Sequence, residues 1–210
     1  MQIKGILFDL DGTVIDSEPL YQKGEIKLFR EYGVEIPESD WKIFRGTTEQ
    51  DFYTIAMKRY KIKEKREIFI NKGRVYIKKE FDQSLKFKND FIDFFNYIKG
   101  KYKIGLVTAS PMHSFEYVDQ ILNIKKYFKN IITNDDTIKS KPDPEPYLKM
   151  LSMLNLKPKN TLIIEDSING MKSAKAAKAH VVAITGSVLK KDMPSPKYII
   201  DNFSELQNIV

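Results

Sequence analysis

The chain has no cysteine, one tryptophan and two histidines among 210 residues. Without thiols there can be no disulfides, no thiolate nucleophile and no thiolate metal site. His113 and His180 have no partner at ligand spacing, so a histidine-built zinc centre is not expected and both are read as surface or packing residues. An α-helical membrane span takes about 20 predominantly apolar residues, and no run approaches that length. No internal repeat, low-complexity tract or Pro/Gly-rich linker interrupts the sequence. The first apolar segment, residues 3–10, already contains an acid and does not read as a signal peptide, which makes the cytoplasm the expected compartment.

What is present fits a globular chain: 42% hydrophobic and 30% charged residues. The length allows one good core and a smaller second unit. The net charge of +7 comes mostly from lysines spread along the chain and interleaved with acids. Nucleic-acid tracking needs clustered basic residues with stacking aromatics between them, so no nucleic-acid partner is expected. A diffuse positive field would instead help to draw in small anions.

Short apolar runs at 3–10, 104–108, 130–133, 161–165 and 181–184 read as strands, with a further edge strand at 198–200. Helical patterns at 91–98, 114–122, 144–154 and 170–177 alternate with them. Strands apolar on both faces and joined by amphipathic helices predict an α/β fold, a parallel sheet covered on both sides. Residues 16–88 break this rhythm. Ile26, Phe29, Phe52, Ile55, Ala56 and Ile77 fall near helical spacing, with helices expected at 21–32, 48–60 and 67–81. The chain is therefore divided into a sheet domain, 1–15 and 89–210, and an inserted helical domain, 16–88. An insertion after the first strand suits a lid over the ligand-binding ends of the strands, and a dimerisation arm would look similar. The oligomeric state stays open.

Four features carry chemistry. Asp9 and Asp11 close the first strand before Gly12 and Thr13; two such carboxylates repel unless a cation or proton neutralises them, although Asp and Gly also suit an ordinary turn. Glu165 and Asp166 repeat the arrangement after the strand at 161–165. In a parallel sheet all these ends share one rim, where hard oxygen ligands favour Mg²⁺. Thr108, Ala109 and Ser110 follow the second strand; with Ser110 as N-cap and Pro111 in the first turn, they would place a hydroxyl and free N–H groups where a phosphate binds. Lys141, in Lys139-Ser140-Lys141-Pro142-Asp143-Pro144, would neutralise charge beside the carboxylates, with Pro144 opening the next helix.

In this order the four features resemble the motifs of the haloacid dehalogenase-like superfamily, over essentially the whole chain. Asp9-x-Asp11-Gly12-Thr13 is similar to its first motif, Thr108 to the second, Lys141 to the third and Glu165-Asp166 to the fourth. The place of the insertion resembles the α-helical cap of the phosphoglycolate phosphatase and β-phosphoglucomutase branch. The resemblance implies a Rossmann-like core and a Mg²⁺-dependent phosphatase acting on a small phosphorylated metabolite, such as a sugar phosphate or phosphoglycolate. It implies that Asp9 attacks phosphorus and Asp11 serves as acid and base. Mg²⁺ would be held by Asp9, Asp166 and the Asp11 carbonyl, with Glu165 assisting directly or through water. The dehalogenases of the superfamily lack an acid at the position of Asp11, so Asp11 argues for phosphate.

A β-phosphoglucomutase-like sugar-phosphate mutase is the alternative. Where that enzyme's cap supplies a histidine and an arginine, this chain has Tyr21 or Gln22, and Glu49 after Arg45-Gly46. Glu49 would repel the second phosphate of a bisphosphate intermediate, which favours water as acceptor. Arg45, Gly46, Lys72 and Arg74 are the candidate substrate contacts from the insertion. Lys178 stands where relatives often have a helix-ending glycine, at a cost of at most about 1 kcal/mol.

Overall fold

The computed structural model describes residues 2–44 and 49–210. The chain separates into two compact units, one formed by residues 2–16 and 86–210 and the other by the described part of 17–85. In the first unit the strands are β1 (Gly5–Phe8), β2 (Lys103–Val107), β3 (Ile131–Ile132), β4 (Thr161–Glu165), β5 (His180–Ile184) and β6 (Tyr198–Ile200). All pair in parallel, in the order β3-β2-β1-β4-β5-β6. Here α5 (Phe91–Ile98) follows the insertion, and α6 (Met112–Leu122), α7 (Glu145–Met153) and α8 (Ile168–Ala176) link successive strands. This is the expected α/β architecture with a Rossmann-like strand order. The order reverses between β1 and β4, and sheets of this kind bind ligands outside the strand ends at that reversal.

Alternation along β1 shows how both faces are covered. Leu7 joins Val107, Ile163, Tyr147, Met150 and Met171 in the core on one side. Phe8 turns the other way into a cluster of rings, with centroids 6.0 Å from Phe91, 5.6 Å from Phe128 and 6.1 Å from Phe203. Both residues are completely buried. Each is worth about 1.5–3 kcal/mol of transfer free energy, so a one-residue slip of β1 would exchange the two faces and forfeit both sets of contacts.

The second unit is helical: α1 (Glu18–Glu31), α2 (Glu38–Phe44), α3 (Glu49–Arg59) and α4 (Arg66–Ser84). Its core holds Leu28, Phe29, Trp41, Phe52, Tyr53 and Phe69, with Phe29 edge-on to Phe69 at 5.1 Å. Of the apolar residues noted at helical spacing, Phe29, Phe52 and Ala56 are buried, Ile26 and Ile77 are partly buried, and Ile55 is exposed. Spacing does not separate the short helix α2 from its surroundings, because seven residues make barely two turns. Among the described residues, no helix is long and apolar enough to cross a membrane.

Candidate active site

Strand pairing assembles the acids. Gly5–Phe8 runs in register with Thr161–Ile164, so Asp9 and Glu165 come next in line at neighbouring strand ends. The Asp9 N–H donates to Ile164 O at 3.0 Å, continuing the ladder to the rim. Gly12 then turns the chain with φ +73°, and a Cβ at that position would lie 2.0 Å from Asp166 Oδ2. Both the backbone angle and the space require glycine. Thr13 Oγ1 donates to Asp166 Oδ1 at 3.1 Å, and Ser187 Oγ donates to Asp166 Oδ2.

Lys141 reaches the same point from the loop before α7. Its ammonium donates to Asp9 Oδ1 at 2.7 Å, Glu165 Oε1 at 2.7 Å and Val107 O at 2.9 Å. An ammonium has three protons, and three acceptors take them. The loop is itself tied down: the Glu145 carboxylate accepts from the N–H groups of Ile138 and Lys139, each at 2.9 Å, and Ser173 Oγ donates to Asp143 O at 2.6 Å. Pro144 is the N-cap of α7, one residue earlier than a first-turn position.

Glu165 is fully buried and its oxygens are heavily engaged. Oε1 accepts from Lys141 and from the Tyr147 hydroxyl at 2.6 Å, and Oε2 accepts from Ser167 N at 3.3 Å and Ser167 Oγ at 3.0 Å. A Cβ on Gly170 would lie within 1.8 Å of Glu165 Oε1, so α8 can pass this close only with glycine there.

Thr108 is buried at the end of β2, and its Oγ1 accepts from Ser110 N at 3.0 Å. Ala109 lies between them, exposed. Ser110 does not cap α6 as its sequence context suggests. Pro111 is the N-cap, and Ser110 Oγ donates to Asp11 Oδ2 at 2.9 Å, a stronger claim on the hydroxyl because the acceptor is a carboxylate. Ser110 is thus joined to the acid proposed as proton shuttle.

One oxygen each from Asp9, Glu165 and Asp166 lies within 4.8 Å of the others, and all three residues are buried. The Asp11 carboxylate is not in this cluster; the part proposed for it at a metal is its carbonyl. Burial, and then the charge of Glu165, push Asp9 from its ordinary 3.8 to about 7 against the pull of Lys141. Burial alone would lower Lys141, but the carboxylates of Asp9 and Glu165 outweigh it and raise its pKa, so the ammonium stays charged. Burial and the Glu165 charge hold the Tyr147 hydroxyl well above its usual range, and it stays a donor. Three carboxylates facing one ammonium leave negative charge uncompensated, and hard oxygens at this spacing fit a divalent cation such as Mg²⁺.

The candidates in the helical unit fare differently. Arg45 and Gly46 lie outside the described residues. Arg74 clasps Glu49 with bonds of 2.9 and 2.8 Å, so this pair carries no net charge, and Glu49 cannot exert the bare repulsion expected from the sequence. Lys72 donates to the Tyr32 hydroxyl at 2.8 Å with Glu64 3.6 Å away. Tyr21 packs edge-on against Phe81 at 5.2 Å. Sequence reasoning misses Tyr147, Ser187 and Glu145; Tyr147 follows the Lys141 motif closely, but nothing in its spacing distinguishes it from a core aromatic.

Comparisons with known proteins give the family. The model of the haloacid dehalogenase-like hydrolases matches residues 6–184. The chain belongs to that family. It is 30% identical, over 83% of its length and 82% of the relative's, to a phosphorylated carbohydrates phosphatase of Thermotoga maritima. It is 27% identical to the pyrophosphatase PpaX of Oceanobacillus iheyensis, over 100% of this chain and 98% of that one. Among solved structures it superimposes, with TM-score 0.83 and 26% identity over 99% and 98% of the two chains, on a Thermotoga maritima protein provisionally named a β-phosphoglucomutase. This member of the family is a hydrolase whose relatives include phosphatases of small phosphorylated compounds.

Proposed function

We propose that this hydrolase is a Mg²⁺-dependent phosphatase that transfers the phosphoryl group of a small metabolite to Asp9 and then to water. The observation that carries the reading is the bond from Lys141 to Asp9 at 2.7 Å beside the buried Glu165 and Asp166. Asp9 and Asp166 supply the metal's carboxylate ligands, with the Asp11 carbonyl. Glu165, its oxygens engaged by Lys141, Tyr147 and Ser167, acts chiefly by holding Lys141. When bound, the cation would offset the carboxylates' charge and stabilise charge on the phosphoryl oxygens.

The residues divide the reaction into two displacements. An Asp9 oxygen bonds to phosphorus as the ester P–O bond breaks, and Asp11 gives its proton to the leaving alkoxide. Asp11, now ionised, takes a proton from water as the water oxygen attacks phosphorus. The acyl-phosphate P–O bond breaks, releasing inorganic phosphate and restoring the Asp9 carboxylate. The Ser110 hydroxyl steadies Asp11, the Thr108 hydroxyl faces phosphoryl charge, and Lys141 fixes the direction of Asp9, whereas the first N–H of α6, that of Met112, is taken by Asp135 at 2.8 Å. The helical insertion, residues 16–88 by our reading of the sequence, is proposed as the cap that carries selectivity.

The test is phosphate release from a panel that includes sugar phosphates, phosphoglycolate and pyrophosphate, with and without Mg²⁺. Asp9→Asn is expected to lower kcat by at least ~10³-fold. Absence of release across the panel would sink the proposal. The mutase reading regains ground from the neutral Glu49–Arg74 pair, so isomerisation of β-glucose 1-phosphate should be followed in the same reactions. Isomerisation faster than phosphate release would replace water with a second sugar phosphate as acceptor.

A further inference from the structure

We infer that Tyr147 is a positioning residue for Lys141, acting through Glu165. This rests on the proposed role of Asp9. Tyr147 is completely buried, its hydroxyl donates to Glu165 Oε1 at 2.6 Å, and Lys141 Nζ lies 5.0 Å from the centre of its ring. The same oxygen accepts from Lys141 at 2.7 Å. Lys141 is therefore shared between two carboxylates, Asp9 and Glu165, at equal distances.

The hydroxyl sets that balance. A proton donated to Glu165 Oε1 draws off part of the carboxylate's negative charge and lessens its hold on the ammonium. Without it, Glu165 keeps one strong donor on that oxygen and attracts Lys141 more strongly, at the expense of the bond to Asp9. The ring adds a face that favours a cation, 5.0 Å from the ammonium. A phenylalanine would preserve that ring and its place in the core cluster with Met150 and Leu151 while removing only the hydroxyl. Tyr53, also fully buried, supplies the contrast, because its hydroxyl has no hydrogen-bond partner among the described residues.

The experiment compares Tyr147→Phe with Tyr53→Phe in the full chain. Steady-state kinetics with the best substrate of the panel give kcat and KM. Proton–nitrogen NMR of the ¹⁵N-labelled protein reports on the buried ammonium of Lys141 without requiring turnover, and Lys141→Met assigns its signal. Tyr147→Phe is expected to lower kcat by about tenfold to a hundredfold, as a small misplacement of a reacting group does. KM should change less than about twofold, since uniform binding is untouched. The Lys141 ammonium signal should shift or broaden in Tyr147→Phe and stay in place in Tyr53→Phe, which should also keep its kcat. An unchanged kcat together with an unchanged ammonium signal in folded Tyr147→Phe would overturn the inference and reduce Tyr147 to packing. A shifted ammonium signal in a protein that releases no phosphate from any substrate would uphold the positioning and reject the phosphatase. Should Tyr147→Phe fail to fold, the wild-type protein still decides: the Tyr147 hydroxyl proton must be visible as a slowly exchanging resonance, and rapid exchange of that proton would overturn the inference.

Discussion

At the rim of the sheet Lys141 gives each ammonium proton an acceptor, while inside the helical unit Tyr53 buries a hydroxyl with none among the described residues. The partners differ as much as the counting. Lys141 and Asp9 are 132 residues apart, and Thr13 and Asp166 are 153 apart, so the rim network exists only when the whole sheet is formed. In the helical unit Arg74 meets Glu49 at an exposed pair of side chains. Polar groups in the first unit are held in place by one another. In the second, the polar bonds surround an aromatic core, as where Asp40 accepts from Arg59 at 2.6 and 2.8 Å, and Tyr53 is the hydroxyl that the core leaves over.

The hardest way to break this contrast is to remove the ammonium. Lys141→Met leaves Asp9 and Glu165 buried and facing each other, and should cost about 3–5 kcal/mol in denaturant titrations, as breaking a buried ion pair does. A loss below about 1 kcal/mol would show that the carboxylates relax into water.

Acidity gives a second, reversible test. Asp9 rises from 3.8 to about 7 in the folded chain, so the native state binds its proton more tightly than the unfolded state. That contribution is fully present below about pH 4 and is lost as pH rises through about 7. Lys141, raised from an already basic value, stays charged throughout and adds no slope in this window. Metal-free protein should therefore melt at a lower temperature at about pH 8 than at about pH 5, and Mg²⁺ should restore much of the difference. Glu25 in the helical unit is also raised, by burial and then by Glu18 and Glu49, and changes stability in the same direction. Glu25→Gln should flatten the part of the slope that Mg²⁺ leaves behind. A melting temperature that climbs between those two pH values without metal would contradict the reading of Asp9.

Smaller effects sharpen the comparison from the other side. Tyr53→Phe removes the orphaned hydroxyl and should stabilise by about 1 kcal/mol, raising Tm by roughly 2–4 °C. Least of all, Lys178 adopts φ +62° just past the end of α8. Lys178→Gly should add up to about 1 kcal/mol without touching kcat, measured by the same melts.

Much of this architecture is legible in the amino-acid order itself. The acids and Thr108 each stand at or just after a strand in the sequence, the parallel order of the strands brings their ends together, and Lys141 is marked instead by its place in the loop before α7. The apolar runs locate every strand, although β1 is shorter than its run at both ends, with residues 3 and 4 before it and Asp9 and Leu10 after it. What escapes is whatever depends on distance across the fold. Nothing near Tyr147 announces a partner in β4, and nothing near Ser187 points to Asp166. Ser110 reads as a local cap because Ser-Pro is a local signal, whereas its partner, Asp11, lies 99 residues away. Glu49 looks like an unopposed charge for the same reason, since Arg74 comes from another helix.

The register of β1 against β4 has a consequence for how the molecule can vary. Pairing Phe8 with Ile164 leaves Asp9 and Glu165 to meet at the next step, so the two acids are neighbours by counting residues along both strands. Substitutions within β1 alter packing, but inserting or deleting one residue there would point Asp9 into the opposite face while Glu165 stayed in place. The interval from Gly5 to Asp9 is a ruler that the chain must keep.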